Sequence, residues 1–173
     1  MKKIKIAVPA TVANLVCGFD VLGMALNDPY DTMELELIDE PVIYIKHTDD
    51  YGLPEAAEQN VAGVALQALI EDFGNNIGFN VTVHKNIKPG SGLGSSAAGS
   101  AGAVVAANHL LNEHFSKEDL VRFAMNGEKL ATGVKHADNV APCIYGGITL
   151  VRSVFPLDII SLAAPDLFVT VVH

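Results

Sequence analysis

Ten consecutive residues carry the densest chemical signal in the chain: Pro89, Gly90, Ser91, Gly92, Leu93, Gly94, Ser95, Ser96, Ala97 and Ala98. Glycine at every second position lets backbone N–H groups turn inward and approach an anion closely. The small residues that follow, through Ala107, form a helix, whose first turn adds unpaired amides and the positive end of a dipole. Such a segment suits phosphate. It is not a P-loop, which needs Lys and then Ser or Thr after the last glycine, whereas Ser95 and Ser96 follow Gly94. The even spacing of Gly90, Gly92 and Gly94 does not fit the dinucleotide fingerprint. No Gly-x-Ser-x-Gly occurs, so a hydrolase nucleophile elbow is absent. Taken alone, the run has a second reading as a glycine-rich turn ahead of a tightly packed helix.

Two further polar clusters stand apart from it. Pro9 to Gly23 contains Asn14, Gly18, Phe19 and Asp20; Gly133 to Pro142 contains His136, Asp138 and Asn139. Asp20 is a natural partner for an ammonium group, and Asn14 offers an amide. Either can equally stabilise a turn in a glycine-containing loop.

Together the three segments closely resemble the GHMP kinases, which include galactokinase, mevalonate kinase and phosphomevalonate kinase. The Ala-Asn-x-x-x-Gly-Phe-Asp-Val-Leu-Gly run at 13–23 and His-x-Asp-Asn-Val-Ala-Pro at 136–142 resemble the homoserine kinase family within that superfamily. The glycine-serine loop by itself points only to the superfamily. The resemblance runs from about residue 4 to the end of the chain.

What the resemblance implies is transfer of phosphate from MgATP to the side-chain hydroxyl of L-homoserine, giving O-phosphohomoserine for threonine synthesis. Residues 89–98 would wrap the triphosphate. Ser96 would reach Mg²⁺, although a helix-capping role is the alternative for its hydroxyl. Glu128 would be the carboxylate on Mg²⁺; without the family context it reads as a solvated helix glutamate. Asn14, Asp20, His136 and Asn139 would surround the amino-acid substrate, with a structural histidine the alternative for His136. Asp138 reads as structural. Asn139 stands where mevalonate kinase and galactokinase carry an aspartate, and an amide cannot accept the hydroxyl proton as that base would. With Glu128 and Asn139 as the catalytic pair, positioning and charge neutralisation would carry the reaction, in keeping with a loose phosphoryl-transfer transition state. Another GHMP small-alcohol kinase, or a nucleotide-binding fragment without catalysis, are the competing readings.

These clusters need elements to position them. Residues 3–9 read as a strand, Met33–Asp39 alternates apolar and acidic residues, and Val42–His47 is expected to be its neighbour. Asn60 caps a helix with apolar Val61, Val64, Ala65, Ala68, Leu69 and Phe73, ended by Gly74. Phe79, Val81 and Val83 mark a strand leading into the glycine loop. A helix spans about 96–111, and Ser116 to Asp119 is a capping box before the apolar stripe Leu120, Phe123, Ala124, Gly127 and Ala131. Gly147–Arg152 and Leu167–Val172 read as strands. The fold class is α+β, a mostly antiparallel sheet with helices on one side, as in the GHMP-kinase N-terminal domain. Residues 1–160 are expected to form that ATP-binding domain and 161–173 to begin a truncated C-terminal one.

Composition sets the outer bounds. Half of the 173 residues are apolar and the mean hydropathy is +0.32. No apolar run reaches the roughly 18 residues of a membrane span. The excess reads as surface covered by another domain or subunit, a homodimer included. A net charge of −9 without a basic stripe argues against nucleic acid. Two cysteines, Cys17 and Cys143, and an N-terminus without a signal-peptide pattern fit a reduced, cytoplasmic protein. The Asn80-Val-Thr82 sequon therefore carries no weight.

Overall fold

Two long strands dominate the sheet, and their apolar residues alternate at the ends farthest from the hairpin turn. The structure is a computed structural model that describes residues 2–74 and 76–171. In β1 (Lys3–Leu15), Ile4, Ile6, Val8 and Ala10 face inward, and Lys3 and Lys5 face water. β2 (Gly18–Ile38) returns antiparallel beside β1, with Met33 and Leu35 on the buried side. The register shifts between Pro9 and Thr11, where residues 26–29 of β2 bulge out.

The expected strand at residues 3–9 is therefore the first part of a hairpin arm that reaches Leu15. Its tip turns through Asn14, Val16 and Asp20, all at positive φ. β3 (Ile43–His47) is not the neighbour of 33–39. A 3-10 turn at Ala57–Gln59 and helix α1 (Val61–Phe73) carry the chain across to β4 (Gly78–His84), which inserts between β2 and β3. β3 and β4 are parallel, as a helical crossover requires. Asn60 caps α1 by accepting from Ala62 N–H, and Gly74 ends it.

Three helices follow β4: α2 (Ser95–Leu110), α3 (Lys117–Thr132) and the short α4 (Val140–Tyr145). Ser116 and Asp119 form the expected capping box of α3. Leu120, Phe123, Ala124 and Gly127 are buried on the α3 stripe, whereas Ala131 is exposed. β5 (Ile148–Val154) pairs with the hairpin end of β2, and β6 (Leu157–Leu162), which the sequence pattern did not signal, pairs with β5. Residues 167–171 form no strand and are exposed, with no described partner edge; Val172 lies outside the described residues. Strand order is β3-β4-β2-β5-β6 with β1 also on β2, a mixed α/β arrangement that is antiparallel apart from β3–β4. The core lies between sheet and helices, and α2 is its axis. Nearly every α2 side chain is Ala, Gly, Ser or Val, so α1, α3 and the sheet close in tightly on it. Among the described residues no helix is long and apolar enough to cross a membrane.

Candidate functional site

The glycine loop sits between the end of β4 and the start of α2, and two anchors hold it there. Asp31 on β2, 1 % exposed, accepts from the backbone N–H groups of Asn86 and Ile87 at 2.8 Å each. It also pairs with the Lys85 ammonium, which donates to Ser95 O at 2.7 Å. On the other side, Thr11 N–H on β1 donates to Leu93 O at 3.1 Å. Ser95 Oγ closes the loop by donating to Ile87 O at 2.9 Å.

Between these anchors Gly90, Gly92 and Gly94 take φ of 76°, 77° and 66°. L-residues avoid that left-handed region, so the alternating glycines are the residues this path requires. Gly94 is the N-cap of α2 and no side chain caps the helix, which leaves first-turn N–H groups directed at the cleft. Ser96 is therefore not the cap; it is the second residue of the helix and lines the cleft.

That cleft has a volume of about 450 Å³. Pro89, Gly90, Gly92, Gly94, Ser95 and Ser96 form one wall, and Glu128 and Asn139 lie across from them. Ser91 and Leu93 shape the loop instead of lining the cleft; Leu93 packs on the core. Ala97 and Ala98 bury their methyl groups completely and offer only backbone. The far end of the cleft is more apolar, with Leu53, Val61 and Val83 beside His47 and Asn60. Asp49 steadies that end. Its burial would raise its pKa, but hydrogen bonds from Lys85 N–H, Tyr51 N–H and His47 outweigh this and hold it below the ordinary value.

Glu128 is 4 % exposed, and its Oε1 has no hydrogen-bond partner among the described residues. Burial pushes its pKa up, the facing Ser96 hydroxyl pulls it down, and the nearby Asp138 charge raises it again. Asp138 is also raised, chiefly by burial, despite accepting from Asn139 N–H at 3.0 Å. A buried carboxylate oxygen without a donor, facing a serine hydroxyl beside a phosphate-type loop, suits a divalent cation. Among the described residues no cluster of three or more His, Cys, Asp or Glu could hold a metal unaided. Mg²⁺ needs no such cage, because one or two carboxylates and the phosphates of a bound nucleotide suffice.

Asn14, Asp20 and His136 gather outside the cleft lining. Asn14 Oδ1 accepts from Asp20 N–H at 2.8 Å, so the amide serves the hairpin turn. His136 Nδ1 lies 3.7 Å from Asp20 Oδ1, with both side chains partly exposed. His136 also lies close enough to Glu128 and Asp138 to offset a small part of the rise in both pKa values. Asn139 Oδ1 accepts from the fully buried Thr11 hydroxyl at 2.9 Å. The anchors Thr11, Asp31 and Lys85 went unread in the sequence; a lysine between a strand and the glycine loop was the only visible signal.

Comparison with known proteins follows the same lines. Residues 60–147 match the family described as the GHMP kinases N terminal domain. The chain is 44 % identical over 164 residues to a homoserine kinase of Methanococcus vannielii, covering 94 % of this chain and 54 % of that protein. A crystal structure of homoserine kinase from Cytophaga hutchinsonii superposes with a TM-score of 0.88 at 46 % identity, over 95 % of this chain and 53 % of that one. A mevalonate kinase from Methanococcus jannaschii, 18 % identical with a TM-score of 0.70 over 93 % of this chain and 56 % of that one, shares the fold alone. The chain spans about half the length of the curated relatives it matches.

Proposed function

The chain belongs to the GHMP kinase family, and from that membership we propose that it is the nucleotide-binding part of a homoserine kinase acting in the cytoplasm. Residues 1–160 are the N-terminal domain in this reading, and 161–173 begin a second one. The observation that carries it is the glycine loop at alternating positive φ opposite a buried, unpartnered Glu128 oxygen. This arrangement suits a polyphosphate with its counter-cation. The relatives' names supply the alcohol, L-homoserine.

Backbone amides from Gly90 to Ala98 would hold the triphosphate of ATP, and Leu53, Val61 and Val83 would offer its base an apolar surface. Ser96 and Glu128 would hold Mg²⁺, which supplies charge neutralisation on the phosphates. Asp20 would receive the substrate ammonium, with Asn14 and His136 shaping the same side. In the transfer, the side-chain oxygen of homoserine bonds to the γ-phosphorus while the bond to the β-phosphate oxygen breaks and ADP leaves. Asn139 cannot take the hydroxyl proton, so the proton passes to the transferring phosphoryl group, and Asn139 orients the reacting groups. Exposed Phe19 and Phe155 support assembly with a second copy as part of this reading.

The test is incubation with MgATP and L-homoserine followed by phosphorus NMR, on this chain and on a form extended to the relatives' length. O-phosphohomoserine from either form supports the reading. ATP binding without product from both, or phosphorylation of mevalonate in its place, overturns it.

A further inference from the structure

We propose that Thr11 is a positioning residue, one that fixes the side-chain amide of Asn139 with its nitrogen turned into the cleft as a hydrogen-bond donor. The proposal rests on the cleft being a phosphoryl-transfer site, but its structural part is testable without that. Thr11 is wholly buried and meets the site in two ways. Its backbone N–H holds Leu93 O, the last turn of the glycine loop, and its hydroxyl donates to Asn139 Oδ1 at 2.9 Å. Gly94 lies directly against that hydroxyl. A Cβ at Gly94 would collide with Thr11 Oγ1 and approach Asn139 Oδ1 to 3.2 Å. Loop, threonine and asparagine are thus packed as one unit.

The direction of the hydrogen bond decides the chemistry. An amide has one acceptor end and one donor end. With Oδ1 bound to Thr11, the Asn139 nitrogen makes no hydrogen bond to the described residues and is left to the cleft. The reverse arrangement would turn Oδ1 toward the cleft that the Glu128 carboxylate also lines, adding a second acceptor to it. A donor there addresses a phosphate or hydroxyl oxygen of the reactants. Cys143 is the other side chain in hydrogen-bond reach of the Thr11 hydroxyl, and it does not displace Asn139 as the acceptor. Its thiol is pushed up to about 12 by burial, stays protonated, and points its sulfur at Pro9 O, 3.6 Å away.

The experiment compares Thr11→Val, which deletes the hydroxyl, with Thr11→Ser, which keeps it. The first readout is the ¹⁵N side-chain amide signal of Asn139 in the complete protein, assigned by its loss in Asn139→Asp. Thr11→Val is expected to shift that signal and leave those of Asn60 and Asn108 in place, and Thr11→Ser to restore it. An Asn139 signal unmoved in Thr11→Val overturns the proposal, whatever the enzyme's substrate. The second readout is kinetic. Thr11→Val is expected to lower kcat about tenfold, on the order of one net hydrogen bond, with KM for ATP within about twofold. Thr11→Ser should recover the rate, and Thr11→Val should cost nothing further in an Asn139→Ala background. Equal losses in both backgrounds, or a KM for ATP that rises as far as kcat falls, would show that Thr11 merely supports the loop. Should Thr11→Val not fold, Thr11→Cys carries the same two measurements. A shifted amide in a protein that phosphorylates no homoserine would sink the functional reading and leave the positioning role standing.

Discussion

Glu128 is the residue whose environment is hardest to explain by folding alone. A buried carboxylate oxygen without a donor costs roughly 1–3 kcal/mol, a cost that a bound cation or a proton would relieve. Its raised pKa means that the folded protein holds the proton more tightly than the unfolded chain does. The stability this confers is complete below the unfolded pKa and is lost as pH rises through the folded one. Glu128→Gln should therefore stabilise the metal-free protein by about 1 kcal/mol at neutral pH and leave it unchanged in acid, where the carboxyl is already neutral. Urea unfolding at both pH values checks this; equal effects at the two would mean that ionisation is not the cost. The same variant should weaken nucleotide binding in the presence of Mg²⁺ and leave metal-free binding nearly untouched. At Asn139 the expectation differs. Asn139→Asp keeps an acceptor for the Thr11 hydroxyl, so MgATP affinity should hold while the transfer rate changes. A lost affinity would remove Asn139 from the transfer step.

At the scale of elements, the site depends on close approaches that only glycine permits. A Cβ on Gly23 of β2 would run into the backbone carbonyl of Asp138 and reach Pro142 Cγ at 3.0 Å. The segment carrying Asp138 and Asn139 is thus seated directly on the strand. Gly23→Ala should cost about 1–3 kcal/mol through overpacking and should displace Asn139, so transfer falls further than nucleotide binding. Denaturant unfolding beside ATP titration measures both, and an alanine variant with wild-type stability would contradict the packing. Helix ends and the glycine loop were legible in the sequence because their signals are local. Asn60, Gly74 and the Ser116–Asp119 box act within four residues of themselves. Pairings were not legible. The β3–β4 ladder depends on α1 bringing the chain back to lie beside β3, and nothing in Val42–His47 announces that it will run parallel. The arms of the β1–β2 hairpin were hidden because Pro9, Asn14 and Gly18 interrupt the alternation, and β6 because its residues are only half-buried. At the site, Asp31 meets Lys85 across 54 positions and Thr11 meets Asn139 across 128. Spacing along a chain cannot disclose such partners.

For the whole molecule, the consequence is that the cleft has no local owner. Its walls come from the end of β3, the start of α1, the β4–α2 loop, α3 and the lead into α4, and Thr11 ties β1 to them. A ligand that bridges these elements binds only the assembled fold, so its free energy adds to global stability. At about 100 times its Kd, a nucleotide contributes roughly 2.7 kcal/mol. For a chain of this length that corresponds to a rise in Tm on the order of 5–10 °C. MgATP should produce such a shift in a single cooperative transition, with slowed amide exchange in β1 and α3 as well as in the glycine loop. Glu128→Gln should lose most of the Mg²⁺-dependent part of the shift, while Arg122→Ala, on the exposed face of α3, should keep all of it. Protection confined to residues 89–98, with no change in Tm, would mean that the loop binds phosphate by itself. The convergence of six elements on the cleft would then have no bearing on nucleotide.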